Sequence, residues 1–340
     1  MTSGTANRPR RHLPHWLVLT LVWAVSIGIL IWVFHGFDWR QTVLDMRAMD
    51  WRYVTIAVIF DLLVYVVHGW RWSLLLQPVA PARLWRTVQA VYIGLYANEI
   101  LPLRTGEVVR CYLVAHWNKL PLSTALSSAA MERVLDGIWL VLGFWFVTLF
   151  LTVPGYLVVG TEILAVIVVA LAGVVLYIAM RKQHAHDAVP KGRWSRTLRN
   201  IIDGIHAMGN PATLSVTFAV SLLYLGLQLV PVWALIRGYG LDLSVWAAAA
   251  VLVILRLGTA IPNAPGNAGV FQGVVVLGLG LFGVPKGTAV GFSLMMFGVL
   301  TLPLLIGGFV AVLLTGVKLE ELRRRAEVSF ARQAEVPSEP

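Results

Sequence analysis

Six stretches of this chain, 15–35, 53–76, 134–153, 161–180, 213–236 and 288–316, are apolar over about 20 residues or more and carry few charges. A helix of roughly 20 such residues matches the hydrocarbon thickness of a bilayer. Inside lipid every backbone N–H and C=O must find a partner within the protein, which leaves helices and closed barrels as the only spanning structures. Continuous apolar runs, without strand-like alternation, select the helix. The expected fold is therefore an all-α polytopic membrane protein with six firm transmembrane helices. The runs are spread along the whole chain, so residues 1–340 read as one transmembrane domain. No block remains for a sizeable aqueous catalytic domain, and enzymes that need one are excluded.

Composition supports this reading. Charged residues make up 13% of the chain and hydrophobic ones 58%, against about 25% charged in soluble domains. The single cysteine, Cys111, excludes an internal disulfide and a thiolate metal cluster. "HAHD" (184–187) has metal-ligand spacing but lies in a polar stretch, and neither a metal nor a cofactor is expected. The fourteen tryptophans suit interfacial anchoring. A net charge of +10 raises the question of nucleic acid. The basic residues, however, gather in short segments beside apolar runs: Arg8, Arg10 and Arg11; Arg83 and Arg86; 181–199; Lys318 and Arg323–Arg325. That is the positive-inside pattern, so no nucleic acid is expected. The segment 15–34 has no small-residue cleavage site and reads as a retained first helix.

Counting crossings gives a topology. With the basic N-terminus inside, the first helix leads out to 36–52, where three Arg are balanced by three Asp, and the second returns to Arg83 and Arg86. Two further regions, 88–118 and 244–284, are apolar but interrupted by Pro and Gly. If each enters and leaves on one side, every remaining loop obeys the charge rule. The tails 1–14 and 317–340 are then cytoplasmic in a multi-pass protein of the cytoplasmic (inner) membrane. Each half, about 15–153 and 161–316, reads as span, span, broken region, span. An odd number of crossings per half inverts the second half relative to the first, the plan of many secondary transporters. The broken regions are open to two readings, re-entrant hairpins or full pairs of spans.

The breaks carry the chemistry. In "NEILPLRTGEVVR" (98–110), Pro102 and Gly106 interrupt a helix, and Thr105 is a candidate N-cap for its restart. Glu107 and Arg110 lie three apart and can pair. In "IPNAPGNAGVFQG" (261–273), Pro262, Pro265, Gly266 and Gly269 forbid a regular helix, and Asn267 is a candidate cap for the next one. Each break thus presents a helix N-terminus at membrane depth, where free N–H groups and the dipole favour an anion. "MERVLDG" (131–137) adds Glu132, Arg133 and Asp136, with Arg133 able to bridge to a neighbouring helix. Asp61 and Arg71 in the second run and Arg256 in the second broken region are expected to face the interior, since charges in lipid are costly. Gly273, Gly278, Gly280, Gly283, Gly287 and Gly291 are expected to permit close helix packing.

At these residues the chain resembles the lysylphosphatidylglycerol synthase transmembrane-region family, a flippase-like domain. "NEILPLRTGEVVR", "MERVLDG" and "PNAPGNAGVFQG" match its three motifs in order, and "GWRWSLLLQP" (69–78) is similar to its second-span ending. The resemblance implies a domain that moves lipid between leaflets, with a polar site at Asn98, Arg104, Glu107, Glu132, Arg133, Asp136 and the Pro265–Gly269 break. The residues themselves add Glu99, Arg110, Asn263, Gly266, Asn267 and Gln272 as candidate headgroup contacts. Asn267 replaces a family glycine, and Gln272 stands where the family often has Glu, which removes a titratable group. The expected function is transport of an anionic phospholipid or a lipid-linked glycan, without catalysis. Two alternatives stay open. One is a non-catalytic partner of a lipid glycosyltransferase or aminoacyl-lipid synthase. The other is a membrane-embedded lipid-phosphate enzyme using Glu132 or Asp136 as acid or base.

Overall fold

The computed structural model describes residues 15–101, 105–189, 195–260 and 264–316, and among them the chain is helical with no strand. The first half runs α1 (His15–Phe34), α2 (Trp39–Ala48), α3 (Trp51–Leu76), α4 (Leu84–Ile100), α5 (Gly106–Asn118) and α6 (Leu122–Thr148). The second runs α7 (Gly155–Met180), α8 (Lys182–Asp187), α9 (Ser195–Met208), α10 (Pro211–Gly238), α11 (Val245–Ala260), a 3-10 turn at Pro265–Asn267, α12 (Val270–Gly280) and α13 (Lys286–Thr315).

Among the described residues, four helices are long and apolar enough to cross a membrane: α3, α7 from Leu157, α10 and α13. The pair α1–α2, bent by 79°, makes a fifth if counted as one span. The chain is thus a multi-pass α-helical membrane protein. The apolar run at 134–153 differs from expectation: α6 starts twelve residues earlier, at Leu122, so "MERVLDG" lies inside the helix and not at its mouth. Two of the three Asp between α1 and α3 are helix caps. The Asp38 carboxylate accepts from the N–H groups of Arg40 and Gln41, and Asp50 accepts from Arg52.

The middle of the molecule is the antiparallel pair α3–α10. Asp50 N–H donates to the Gly238 carbonyl at one end, and the rings of His68 and Tyr224 lie 5.3 Å apart further along. Two apolar cores flank this pair. One gathers Trp72, Leu75, Val91, Ile93, Leu113 and Met131 from α3 to α6. The other gathers Leu235, Val251, Val275, Val290, Phe292 and Met296 from α10 to α13. α7 buries little, with Val166 and Val169 about 70% exposed, as a lipid-facing helix should.

The packing partners of the two halves correspond. α3 packs on α4 as α10 does on α11; α4 on α5 as α11 on α12; α5 on α6 as α12 on α13. Across the halves α4 meets α13 and α11 meets α6. The four helices of the broken regions are short. Their 17, 13, 16 and 11 residues extend roughly 25, 20, 24 and 17 Å against a hydrocarbon core of about 30 Å.

Glycines set some of the closest approaches. A Cβ on Gly273 would sit 2.6 Å from Ile29, and one on Gly291 would reach the Tyr239 hydroxyl and Thr42. Gly278 makes ordinary contact, and Gly280, Gly283 and Gly287 face open space, so only part of the expected glycine surface packs.

Candidate functional site

The first break is a helical hairpin closed at its tip. Leu101 leaves the helical region ahead of Pro102, as the residue before a proline does. α5 restarts at Gly106, whose N–H donates to the Asn98 side-chain oxygen at 2.8 Å. This corrects the expected cap: Thr105 is itself helical and makes no side-chain cap bond, and the reach comes from the end of α4. Only glycine fits at 106, because a Cβ would overlap the Gly94 carbonyl oxygen.

The second break is built differently. Gly266 and Asn267 have φ of 65° and 52°, and the helix restarts after Gly269, whose N–H donates to the Gln272 side-chain oxygen at 2.8 Å. Gln272, and not Asn267, therefore closes the N-terminus of α12. Arg104 and Asn263, with Pro102 and Pro262, lie outside the described residues.

Behind the first hairpin the charges interlock. Arg71 of α3 donates to Glu132 at 2.9 Å and to Asp136. Arg110 of α5 donates to the other Glu132 oxygen at 2.8 Å and to Glu107 at 2.9 Å. His68 stands 3.1 Å from Glu132, and Arg133 reaches Glu107 at 3.0 Å. The guanidiniums of Arg71 and Arg110 each lie 4.7 Å from a ring centroid, Tyr224 and Trp72 respectively, which adds a cation–π attraction.

Exposure grades outward through this cluster. Arg71 and Glu132 are fully buried and Arg110 nearly so, whereas Glu107, Asp136 and Arg133 are 27–49% exposed at their side chains. Three acids and three arginines balance, as buried charges must to offset their desolvation. Glu132 and Arg110 are thus engaged with each other, and neither lines the cavity described next.

That cavity, of about 250 Å³, lies against the central pair α3–α10 and between the two breaks. Asn98, Glu99 and Leu101 line it from the first break, and Ala264, Gly266 and Asn267 from the second. Asp61, Glu107, Arg133 and Arg256 bring charge to its wall. Gly266 closes against the first half: a Cβ there would stand 2.9 Å from a Glu99 carboxylate oxygen.

The sequence-derived residues thus divide. Asn98, Glu99, Glu107, Arg133, Gly266, Asn267, Asp61 and Arg256 meet in the cavity, Arg71, Arg110, Glu132 and Asp136 form the ion cluster beside it, and Gln272 caps a helix. Sequence reasoning passed over Tyr65, His68, Tyr224 and Gln228, although all four line the cavity. A signal was present in α3, where Asp61, Tyr65, His68 and Arg71 repeat at helical spacing within an apolar run. "HAHD" forms α8, where His186 and Lys182 pair with Asp203. Among the described residues no group of three or more His, Cys, Asp or Glu is placed to hold a metal ion.

A multi-pass helical membrane protein with a charged cavity between two interrupted hairpins is the class that fold and site define. Residues 18–308 match the family described as Lysylphosphatidylglycerol synthase TM region, and the chain belongs to that family. It is similar to a UPF0104 membrane protein of Methanocaldococcus jannaschii, 24% identical over 271 residues, covering 72% of this chain and 79% of that one. A UPF0104 membrane protein of Methanothermobacter thermautotrophicus is 25% identical over 293 residues, covering 77% and 83%. No solved structure matches the chain.

Proposed function

We propose that the protein carries an anionic lipid headgroup, of a phospholipid or a lipid-linked glycan, across the cytoplasmic membrane through the cavity between the two breaks. The single observation that carries this reading is the lining: residues flanking both breaks and guanidiniums from both halves, Arg133 and Arg256, line one space. Guanidiniums are suited to phosphate because their N–H fork matches its oxygens. The cavity accommodates a headgroup while acyl chains stay in lipid.

The fold supports an inverted repeat with re-entrant hairpins. The corresponding packing partners of the halves and the antiparallel α3–α10 pair are what an in-plane pseudo-two-fold requires. The hairpin helices fall short of a full crossing. With the basic tails and the 181–199 segment inside, the molecule sits with both termini cytoplasmic. Glu132 does not line the cavity, and its oxygens accept from Arg71 and Arg110, an arrangement that favours transport over acid–base catalysis by this residue.

The test is a reconstituted assay in phosphatidylcholine vesicles carrying acyl-labelled phosphatidylglycerol, with sidedness read by dithionite quenching and lipid integrity by mass spectrometry. Wild-type protein should change sidedness and leave the lipid intact. Arg104→Ala and Arg256→Ala should abolish movement with folded protein retained, Arg104→Lys should restore part of it, and Arg324→Ala in the basic tail should be near neutral. Equal effects at 104 and 324 would reduce Arg104 to one more positive-inside charge.

A further inference from the structure

Asp61 sits in the middle of α3, 7% exposed, in the wall of the cavity. Tyr65, one turn along the helix, lines the same cavity, and the Asp61 Oδ2 atom is buried without any hydrogen-bond partner. Gln228 of the facing helix α10 lines the same cavity, is likewise 7% exposed, and has a buried Oε1 without a partner. Its amide nitrogen is occupied, donating to the Tyr224 carbonyl at 3.2 Å. The two central helices therefore each bring an unpartnered acceptor to one cavity. An unmade bond at a buried acceptor is costly, more so for a charged group. A proton on Asp61 removes the charge and converts an acceptor into a donor.

The surroundings determine which cation fits. Around Asp61 stand Tyr65 and His68 on its own helix, Tyr92 and Glu99 of α4, Glu107 of α5, Arg133 of α6, Tyr224 of α10 and Arg256 of α11. α13 lines the cavity with Phe297, Leu300, Thr301 and Leu304, none of them titratable. Arg256 is close enough to act on the Asp61 carboxylate electrostatically. A hard metal ion takes about six oxygens and would be repelled by that guanidinium, whereas a proton needs one oxygen.

We propose that Asp61 is a proton-binding group that couples movement of the headgroup to a proton gradient. The coupling rests on the transporter reading above; the proton site rests on the cavity geometry alone. The exchange is simple to balance. Before the headgroup arrives, the Asp61 carboxylate shares the cavity with the positive charge of Arg256. A phosphate arriving at Arg256 competes with it, and one proton taken up at Asp61 neutralises the displaced carboxylate. One anion and one proton cross together and leave together, with no bond made to the lipid.

Two measurements on the full chain in phosphatidylcholine membranes separate the site from the coupling. The first is infrared difference spectroscopy through a pH titration without added lipid anion. It should show a protonated-carboxyl C=O band that Asp61→Asn removes, Asp61→Glu retains at a shifted position, and Gln228→Leu shifts. The second imposes a pH gradient on the labelled phosphatidylglycerol assay. The gradient should accelerate wild-type movement towards the alkaline side, and Asp61→Asn should lose that acceleration. A band that survives Asp61→Asn, or never appears in wild type, overturns the proton site whether or not lipid moves. Lipid movement that ignores the pH gradient, or follows a sodium gradient instead, overturns the coupling. A band with no lipid movement leaves the proton site standing and removes the transporter reading together with the coupling.

Discussion

Glu132 and Arg133 are neighbours in sequence and opposites in environment, and the contrast yields a prediction. Glu132 is fully buried and accepts from two guanidiniums, whereas Arg133 is half exposed with partners at the cluster's rim. Removing one member of a buried ion pair typically costs about 3–5 kcal/mol because the other charge is stranded, while an exposed pair is worth about 0–1 kcal/mol. Glu132→Gln should therefore lower the unfolding midpoint of the detergent-solubilised protein sharply, and Arg133→Ala should barely move it while reducing lipid movement. Similar midpoints for the two variants would mean that the cluster is hydrated and not a structural lock. Gly266 allows a second test at this scale. Its φ of 65° disfavours any side chain, and a Cβ would stand 2.9 Å from Glu99. Gly266→Val should abolish movement of labelled lipid with the protein still folded, although no charge is altered and Arg104 is far away in sequence. Normal movement would make the second break a packing detail and end the shared-site proposal.

The two hairpins show why element boundaries were partly legible. Pro102 and Pro265 announce the interruptions, and the helices do stop around them. The caps were misread because a sequence displays only nearby candidates. Thr105 is adjacent to α5, but the hairpin folds Asn98 back across eight residues to meet Gly106 N–H. The start of α6 was missed for a different reason. Residues 122–130 include Ser123, Thr124, Ser127 and Ser128, which lower the apparent hydropathy. In the fold the Ser127 and Ser128 hydroxyls donate to backbone carbonyls of their own helix, and Ser128 also accepts from Trp72 Nε1 at 2.9 Å. Hydroxyls satisfied in this way remain helical and buried. The Asn98 bond is open to measurement. Asn98→Ala should destabilise the protein by about 0.5–2 kcal/mol, the usual loss for a helix N-cap acceptor. Asn98→Asp keeps the acceptor and places negative charge at a helix N-terminus, which is favourable, so it should recover most of the thermal midpoint. Equal loss in both variants would mean that the hairpin tip is held by something other than this bond.

At the scale of the molecule the proposed symmetry comes from counting crossings and not from likeness of sequence between the halves. The halves repeat an order of runs and breaks, yet the pairing of α4 with α13 and of α11 with α6 depends on long-range contacts that no local pattern encodes. The cavity was similarly half visible. Its charges stood out against an apolar background, but that Arg110 and Glu132 would pair behind the wall while Asp61 and Arg256 reached it depends on helix rotation about α3 and α10. What the proposed symmetry demands of the membrane is sharper. In an inverted repeat the connector after α1 and the connector after α7 are equivalent in position and opposite in side. A parallel repeat would put both on the same side. Arg40 in α2, Gly155 at the start of α7 and Gln183 in α8 are all exposed, and the lone Cys111 is buried. With Cys111 replaced, single cysteines at these positions should report topology in intact cells to a membrane-impermeant maleimide. Arg40→Cys and Gly155→Cys should label from outside, and Gln183→Cys only after the membrane is opened, because 181–199 carries six basic residues and such loops stay on the cytoplasmic face. Labelling of Arg40→Cys and Gln183→Cys from the same side would require α3 and α10 to enter from one side and run parallel, against the antiparallel pair, and would break the proposed two-fold between the hairpins. The cavity would then have one entrance built from two unrelated breaks, and alternating access by exchange of equivalent halves would have no structural basis.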